Sequence, residues 1–263
     1  LKGKNRITFE RRLIRNIREA LNIEPNDLIK FRNRYLITNE RNIQNLNRIF
    51  GIIFYVKCTK SNLESINEAA LSFIAKEKTF RISAKKSITL KKSSQTLNEE
   101  IGSYIISKKP NLKVSLENPE IDIRIEELGN KAFLYKADEM IQGLGGLPVG
   151  TGGFVHLRVN NELSSTVAGF LLMKRGCVIS LSKELPLLQK FGYGFKLKTR
   201  EEKDEDIVAT DETFENIELK QDEKFILRPL IGYTKKQIEI IYNKISLFNK
   251  FYIIKRFKFF VAS

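Results

Sequence analysis

Gly143-Leu144-Gly145-Gly146-Leu147-Pro148-Val149-Gly150-Thr151-Gly152-Gly153 holds six of the chain's fifteen glycines and separates residues 1–142 from residues 154–263. So dense a cluster admits positive φ angles and close backbone approach, which suit a tight interdomain turn. A phosphate-cradling loop is the sharper alternative, since glycine amides can point at an anion where a helix begins. The spacing favours the joint: Gly143-x-Gly145 lacks the third glycine of a dinucleotide fingerprint, and Gly150 leads to no Gly-Lys-Ser/Thr.

On either side of this joint the charge differs. The chain of 263 residues carries a net charge of +15. Residues 1–60 contribute 14 basic against 5 acidic side chains, residues 61–150 contribute 13 against 12, and residues 151–263 contribute 19 against 14. A surplus concentrated at one end suits a polyanionic partner, nucleic acid before anionic membrane. With 42% hydrophobic residues the chain is globular, and no apolar run is long enough to span a bilayer. A cytoplasmic location is expected. Cys58 and Cys177 have no companion cysteines, and His156 is the only histidine, so no metal site is expected; both thiols read as small buried hydrophobes.

Working back from the joint, residues 8–21 place Phe9, Leu13, Ile14, Ile17 and Leu21 at helical spacing, with Arg11, Arg12, Arg15 and Arg18 largely elsewhere on the surface. Short strands at 28–31 and 35–38, a helix at 42–49 and a strand at 52–58 come next. This αββαβ order is a ferredoxin-like unit lacking its first strand. A second small α/β unit fills 61–150. It has a helix at 63–76, a strand at 79–84, a basic, hydroxyl-rich loop at 85–94, a helix at 95–106, and strands at 114–116, 121–126 and 131–137.

Beyond the joint, a strand at 154–159, a helix at 165–174 closed by Gly176 and a strand at 178–181 form the β-loop-α-β start of a nucleotide-binding sheet. The acidic patch at 201–206 reads as a solvated loop rather than a metal site. Residues 225–231 read as a buried strand and 235–245 as a helix. The tail 248–261 mixes aromatics with lysine and arginine; it reads as an edge strand or hydrophobic cap, with RNA-contacting or membrane-surface roles as alternatives.

Three pieces together resemble the tRNA 4-thiouridine synthetase (tRNA sulfurtransferase) family. They are Leu1-Lys2-Gly3-Lys4-Asn5-Arg6-x-x-Phe9-Glu10, then Gly143 to Thr151, and last Met173-Lys174-Arg175-Gly176-Cys177 with the later Ile226-Leu227-Arg228-Pro229-Leu230-Ile231. The resemblance implies an α/β protein of mixed α+β type with three parts. These are an N-terminal ferredoxin-like domain over 1–60, a THUMP domain over 61–150, and a truncated, Rossmann-like PP-loop domain over 151–263. It also implies that the first two hold tRNA at its acceptor end, and that the third, when intact, adenylates a uridine carbonyl for replacement by sulfur.

The family's Ser-Gly-Gly-x-Asp-Ser loop aligns with Asn160-Asn161-Glu162-Leu163-Ser164-Ser165, where only Ser165 matches. Without the glycines the amides approach a pyrophosphate less closely, and Glu162 sets a negative charge where phosphate would lie. The 178–225 stretch is short for a complete PP-loop domain, no cysteine occurs after Cys177, and the family's first strand would lie ahead of Leu1. The expectation is a tRNA-binding module with no catalytic residues and no cofactor of its own. It would contact RNA through Lys2, Lys4, Asn5, Arg6, Arg11, Arg12, Arg15, Lys85, Lys86, Lys91 and Lys92. A separate modifying enzyme and a homodimer are the further partners considered. The alternative is an active or partner-assisted sulfurtransferase using ATP and Mg.

Overall fold

In a computed structural model the described residues are 5–204, 206–217 and 225–247, together with the backbone of Phe259–Ala262. Helix α1, Arg6–Leu21, buries Leu13, Ile17 and Leu21, as its spacing requires, and ends at Asn22 in the left-handed region. The hairpin β1, Leu28–Phe31, and β2, Arg34–Ile37, turns through Asn33 at φ 62°. Residues 43–48 form a 3-10 turn rather than an α-helix, and β3 spans Phe54–Lys57.

In the second unit come β4, Thr59–Asn62, α2, Ile66–Leu71, β5, Thr79–Ala84, and α3, Ser94–Lys108, capped by the Ser93 side chain. After them come β6, Lys113–Val114, β7, Ile121–Leu128, β8, Lys131–Lys136, and β9, Ile141–Gln142. The rest comprises β10, Phe154–Leu157, α4, Glu162–Lys174, β11, Val178–Leu181, α5, Pro186–Gln189, β12, Lys198–Thr199, and β13, Val208–Ala209. It closes with β14, Ile226–Leu227, α6, Lys235–Leu247, and β15, Phe259–Ala262.

These strands make three sheets of five. The first has the order β1-β2-β15-β3-β9. Its middle strand comes from the far end of the chain and runs antiparallel to both β2 and β3. The position that a βαββαβ unit fills with its own first strand is therefore taken by Phe259–Ala262. This corrects the reading of the tail as an edge strand or cap for those four residues; residues 248–258 lie outside the described ones. The second sheet, β4-β8-β7-β5-β6, pairs β5 with β7 in parallel along their length. The third, β12-β11-β10-β13-β14, is all parallel.

Period-two alternation assigns each strand's residues to one core or another. On β2, Tyr35 and Ile37 face the core under α1 while Leu36 faces away; on β8, Ala132 and Leu134 face the second unit's core while Phe133 and Tyr135 face away. Leu36, Val56, Cys58, Phe133 and Tyr135 then meet in a core of their own, which joins the first two sheets. Strand β4 carries no sequence signal, because Thr59-Lys60-Ser61-Asn62 has no apolar residue to mark it. The reading of 225–231 as a buried strand is corrected: only Ile226–Leu227 pairs, both are half-buried, and Phe225 is exposed.

The glycine stretch is a stitched seam. Gly143 and Gly145 donate to the carbonyls of Ile53 and Ile52, Leu147 to that of Lys174, and Gly150 and Gly152 both to that of Gly176. A Cβ on Gly143 would fall on the Ile52 carbonyl, and one on Gly146, at φ 76°, on that of Lys174. Backbone approaches backbone here, which is why side chains are missing. No described helix is long and apolar enough to cross a membrane.

Candidate nucleic-acid interface and nucleotide loop

Of the residues expected to meet RNA, Lys2 and Lys4 lie outside the described ones. Asn5 precedes α1 and is exposed. Arg6 is half-buried and engaged, its Nε donating to Glu10 at 2.7 Å and its Nη2 to Asn33 at 2.6 Å. Glu10 also pairs with Lys30 at 2.5 Å; burial raises its pKa, but the two cations outweigh this and hold the carboxyl below its ordinary value. Arg11 and Arg15 stand exposed on α1. Arg12 does something else: its guanidinium stacks 4.7 Å from the Phe195 ring centroid, holding α1 against the third unit.

The 85–94 loop is built on one carboxylate. Ser87 and Thr89 both donate hydroxyl hydrogen bonds to Glu127, which fixes the turn and leaves Lys86 and Lys91 exposed, with no ion pair among the described residues. Lys85 and Lys92 are partnered, by Glu126 at 2.8 Å and Glu100 at 2.5 Å. Glu126 was not singled out from sequence. It is buried where the first two sheets meet, and takes both Arg34 Nε (3.1 Å) and Nη2 (3.2 Å), Lys85 Nζ and the Tyr135 hydroxyl (2.9 Å). Its presence left no signal, since an alternating strand with acidic residues ordinarily exposes them.

The candidate nucleotide loop, 160–165, lies at the carboxyl ends of the parallel strands. Strand β10 has β11 on one side and β13 on the other, so the connections leave in opposite directions and a crevice opens between them. The crevice measures about 340 Å³ and is lined by Arg158, Asn160, Asn161, Ser164, Asp211 and Arg228, among others. Asn161 caps α4, its side-chain oxygen accepting from Ser164 N at 3.1 Å. Glu162 opens the helix and Leu163 packs against the apolar core.

Asp211, just past β13, is the residue the sequence did not reveal. Its carboxylate accepts from Asn160 Nδ2 (2.8 Å), Asn161 N (2.9 Å) and Ser165 Oγ (2.7 Å), and it is buried. It sits where an anion held by this loop and helix start would sit. The nearby cations are also engaged: Arg158 grips Glu202 at 2.7 and 2.9 Å, and Arg228 pairs with Glu212 at 2.8 Å. A triphosphate would have to displace one carboxylate and outbid two others, so these residues do not fit ATP phosphates as arranged.

In the acidic patch, Asp206 is likewise bound, accepting from Arg200 Nη1 and Nη2 at 2.7 Å each; Arg200 holds its pKa far down. No cluster of metal-ligand side chains occurs among the described residues. Cys58 and Cys177 are not joined, and burial pushes the Cys177 thiol up, away from a reactive thiolate.

Two family matches account for half of the chain: the ThiI ferredoxin-like domain over residues 1–55 and the THUMP domain over residues 60–136. The molecule is thus a mixed α/β protein of the THUMP class. A protein of Mycoplasmopsis synoviae, described as a probable tRNA sulfurtransferase, is 38% identical over 180 residues, which are 67% of this chain and 46% of that one. PH1313 from Pyrococcus horikoshii has a crystal structure similar to this fold, with a TM-score of 0.76 and 25% identity over 94% of this chain and 95% of that one. A 4-thiouridine synthetase solved in complex with RNA and with bound ATP shares the fold, with a TM-score of 0.72 and 23% identity over 94% of this chain and 82% of that one. The chain belongs to the ThiI family, and spans about half the length of the curated relatives it matches.

Proposed function

We propose that this chain is a cytoplasmic tRNA-binding THUMP protein that docks the tRNA acceptor stem without adenylating or transferring sulfur itself. In this reading 1–60 and 61–150 hold RNA and 151–263 is a PP-loop relative whose phosphate site is closed. The observation that carries it is Asp211, whose carboxylate takes the Asn161 amide and the Ser165 hydroxyl that a bound phosphate would need. RNA binding is supported by the basic surplus of residues 1–60, by exposed Arg11, Arg15, Lys86 and Lys91, and by the family's RNA-complexed structure. Contacts of this kind read backbone and shape more than sequence.

The test is tRNA binding by the full chain across a salt series. Affinity should fall steeply, with a slope near 0.9 per phosphate neutralised on paired RNA, and an Arg11/Arg15/Lys86/Lys91→Ala variant should flatten that slope. Equal, weak binding to any polyanion would sink the reading.

A second reading is favoured by the relatives' description as probable sulfurtransferases. The chain would then be an ATP-dependent tRNA sulfurtransferase, alone or with a partner supplying chemistry. Calorimetry with ATP and Mg separates the two: no heat at millimolar nucleotide supports the first.

A further inference from the structure

A second cleft, of about 820 Å³, lies at the end of α4 opposite the crevice beside Asp211. One wall is the Gly146-Leu147 edge of the glycine seam, the floor is Leu171 and Leu172, and the far wall is the 227–233 turn with Tyr233. Lys174, Arg175 and Arg228 line it, and among the described residues no acidic side chain does.

Cations at a helix end ordinarily serve the helix's own carbonyls. Here those carbonyls are already answered by backbone. Leu147 N donates to Lys174 O at 2.9 Å, Gly176 N to Met173 O at 2.8 Å and Cys177 N to Leu172 O at 3.1 Å. Lys174 and Arg175 are exposed and make no ion pair among the described residues, whereas Arg228 is committed to Glu212. Two unengaged positive charges therefore border an apolar cleft that has one aromatic ring at its rim.

The same Gly146-Leu147 edge forms part of a smaller cleft of about 230 Å³ on its other side, lined by Arg6, Asn33 and Tyr35 beside the start of α1. The two clefts thus share the Gly146-Leu147 ridge. Apolar walls, a ring to stack on and paired cations match unstacked bases with their phosphates; a double-stranded stem presents no free base face to them.

We propose that this cleft receives unpaired nucleotides of the RNA the chain binds, with a base against Tyr233 and the leucine floor and phosphates at Lys174 and Arg175. The proposal rests on the tRNA-binding reading and adds a second, single-strand site to it.

The experiment measures binding of tRNA, and of a fully paired RNA hairpin without single-stranded ends, to the full chain and to three variants. Lys174→Ala/Arg175→Ala should weaken tRNA binding about tenfold and lower its salt slope by about 1.4, at 0.7 for each single-strand phosphate. Tyr233→Ala should weaken it by roughly tenfold, and Tyr233→Phe, which keeps the ring, should bind as the parent does. None should alter hairpin binding. Parent-like tRNA binding by the double and the Tyr233→Ala variants would overturn the cleft while leaving the tRNA reading standing, as would equal losses on tRNA and hairpin. A parent chain that binds neither RNA removes both. Competition by adenosine monophosphate to the same loss would assign the cleft to a free nucleotide and overturn it as an RNA site.

Discussion

Asp211 shows how one side chain can change what a loop does. A helix start after a parallel strand offers amides and a partial positive charge to an anion, and this chain supplies that anion from β13. Asp211→Ala removes the acceptor of three hydrogen bonds and should lower stability by about 1–3 kcal/mol, read from urea unfolding. It should also open the cradle: inorganic pyrophosphate, without effect on the melting temperature of the parent, is expected to raise that of the variant. An unchanged response would show that the lost glycines, rather than Asp211, exclude phosphate. The sequence marked the loop but not its occupant, because Asp211 comes after a two-residue strand, too short to be seen as periodic.

Among the elements, β15 carries the clearest consequence. Strands β2 and β3 do not pair with each other; each pairs with Phe259–Ala262, in the registers Leu36 to Phe260 and Val56 to Phe260. Without that strand the first sheet splits into the β1–β2 hairpin and the β3–β9 pair, and two-stranded pieces are marginal on their own. A chain ending at residue 258 should therefore lose amide exchange protection on β2 and β3 while keeping it on β5 and β7 of the second sheet. Protection retained on β2 and β3 would mean that the middle strand is dispensable. The sequence reading of a unit short of its first strand agrees with the sheet, although its second helix is a 3-10 turn. What filled the vacancy lies some two hundred residues away and leaves no periodic trace.

At the scale of the molecule, the first two units are joined by an apolar cluster and by Glu126. Burial tends to raise the Glu126 pKa, but Arg34 and Lys85 outweigh it and hold the carboxyl below its ordinary 4.5. A carboxyl depressed by folding contributes fully above its unfolded pKa, and the contribution is lost as pH falls through 4.5 toward the folded value. Stability should thus drop as pH falls below 4.5, and Glu126→Gln should remove part of that slope while costing about 3–5 kcal/mol at neutral pH, since two cations lose their counter-charge. Chemical denaturation at several pH values measures both. A parent and variant with parallel pH profiles would place the acid sensitivity elsewhere.

What the sequence determined by itself is local and periodic: helix α1 and its arginine face, strands β5 and β11, the end of α4 at Gly176, the glycine joint and the family to which they belong. These depend on spacing along the chain, which neighbours in sequence set. It took the tertiary fold to bring Arg6 to Asn33 and Arg12 to the Phe195 ring, to set Glu126 between two sheets, to give Asp211 the amide and hydroxyl at the start of α4 and to complete the first sheet with the last strand. Each is a meeting of residues far apart in the chain. A charged side chain's partner is fixed by where folding brings it, and the glycine seam matters for the same reason: its missing side chains record a close backbone approach whose other half lies in distant segments of the chain.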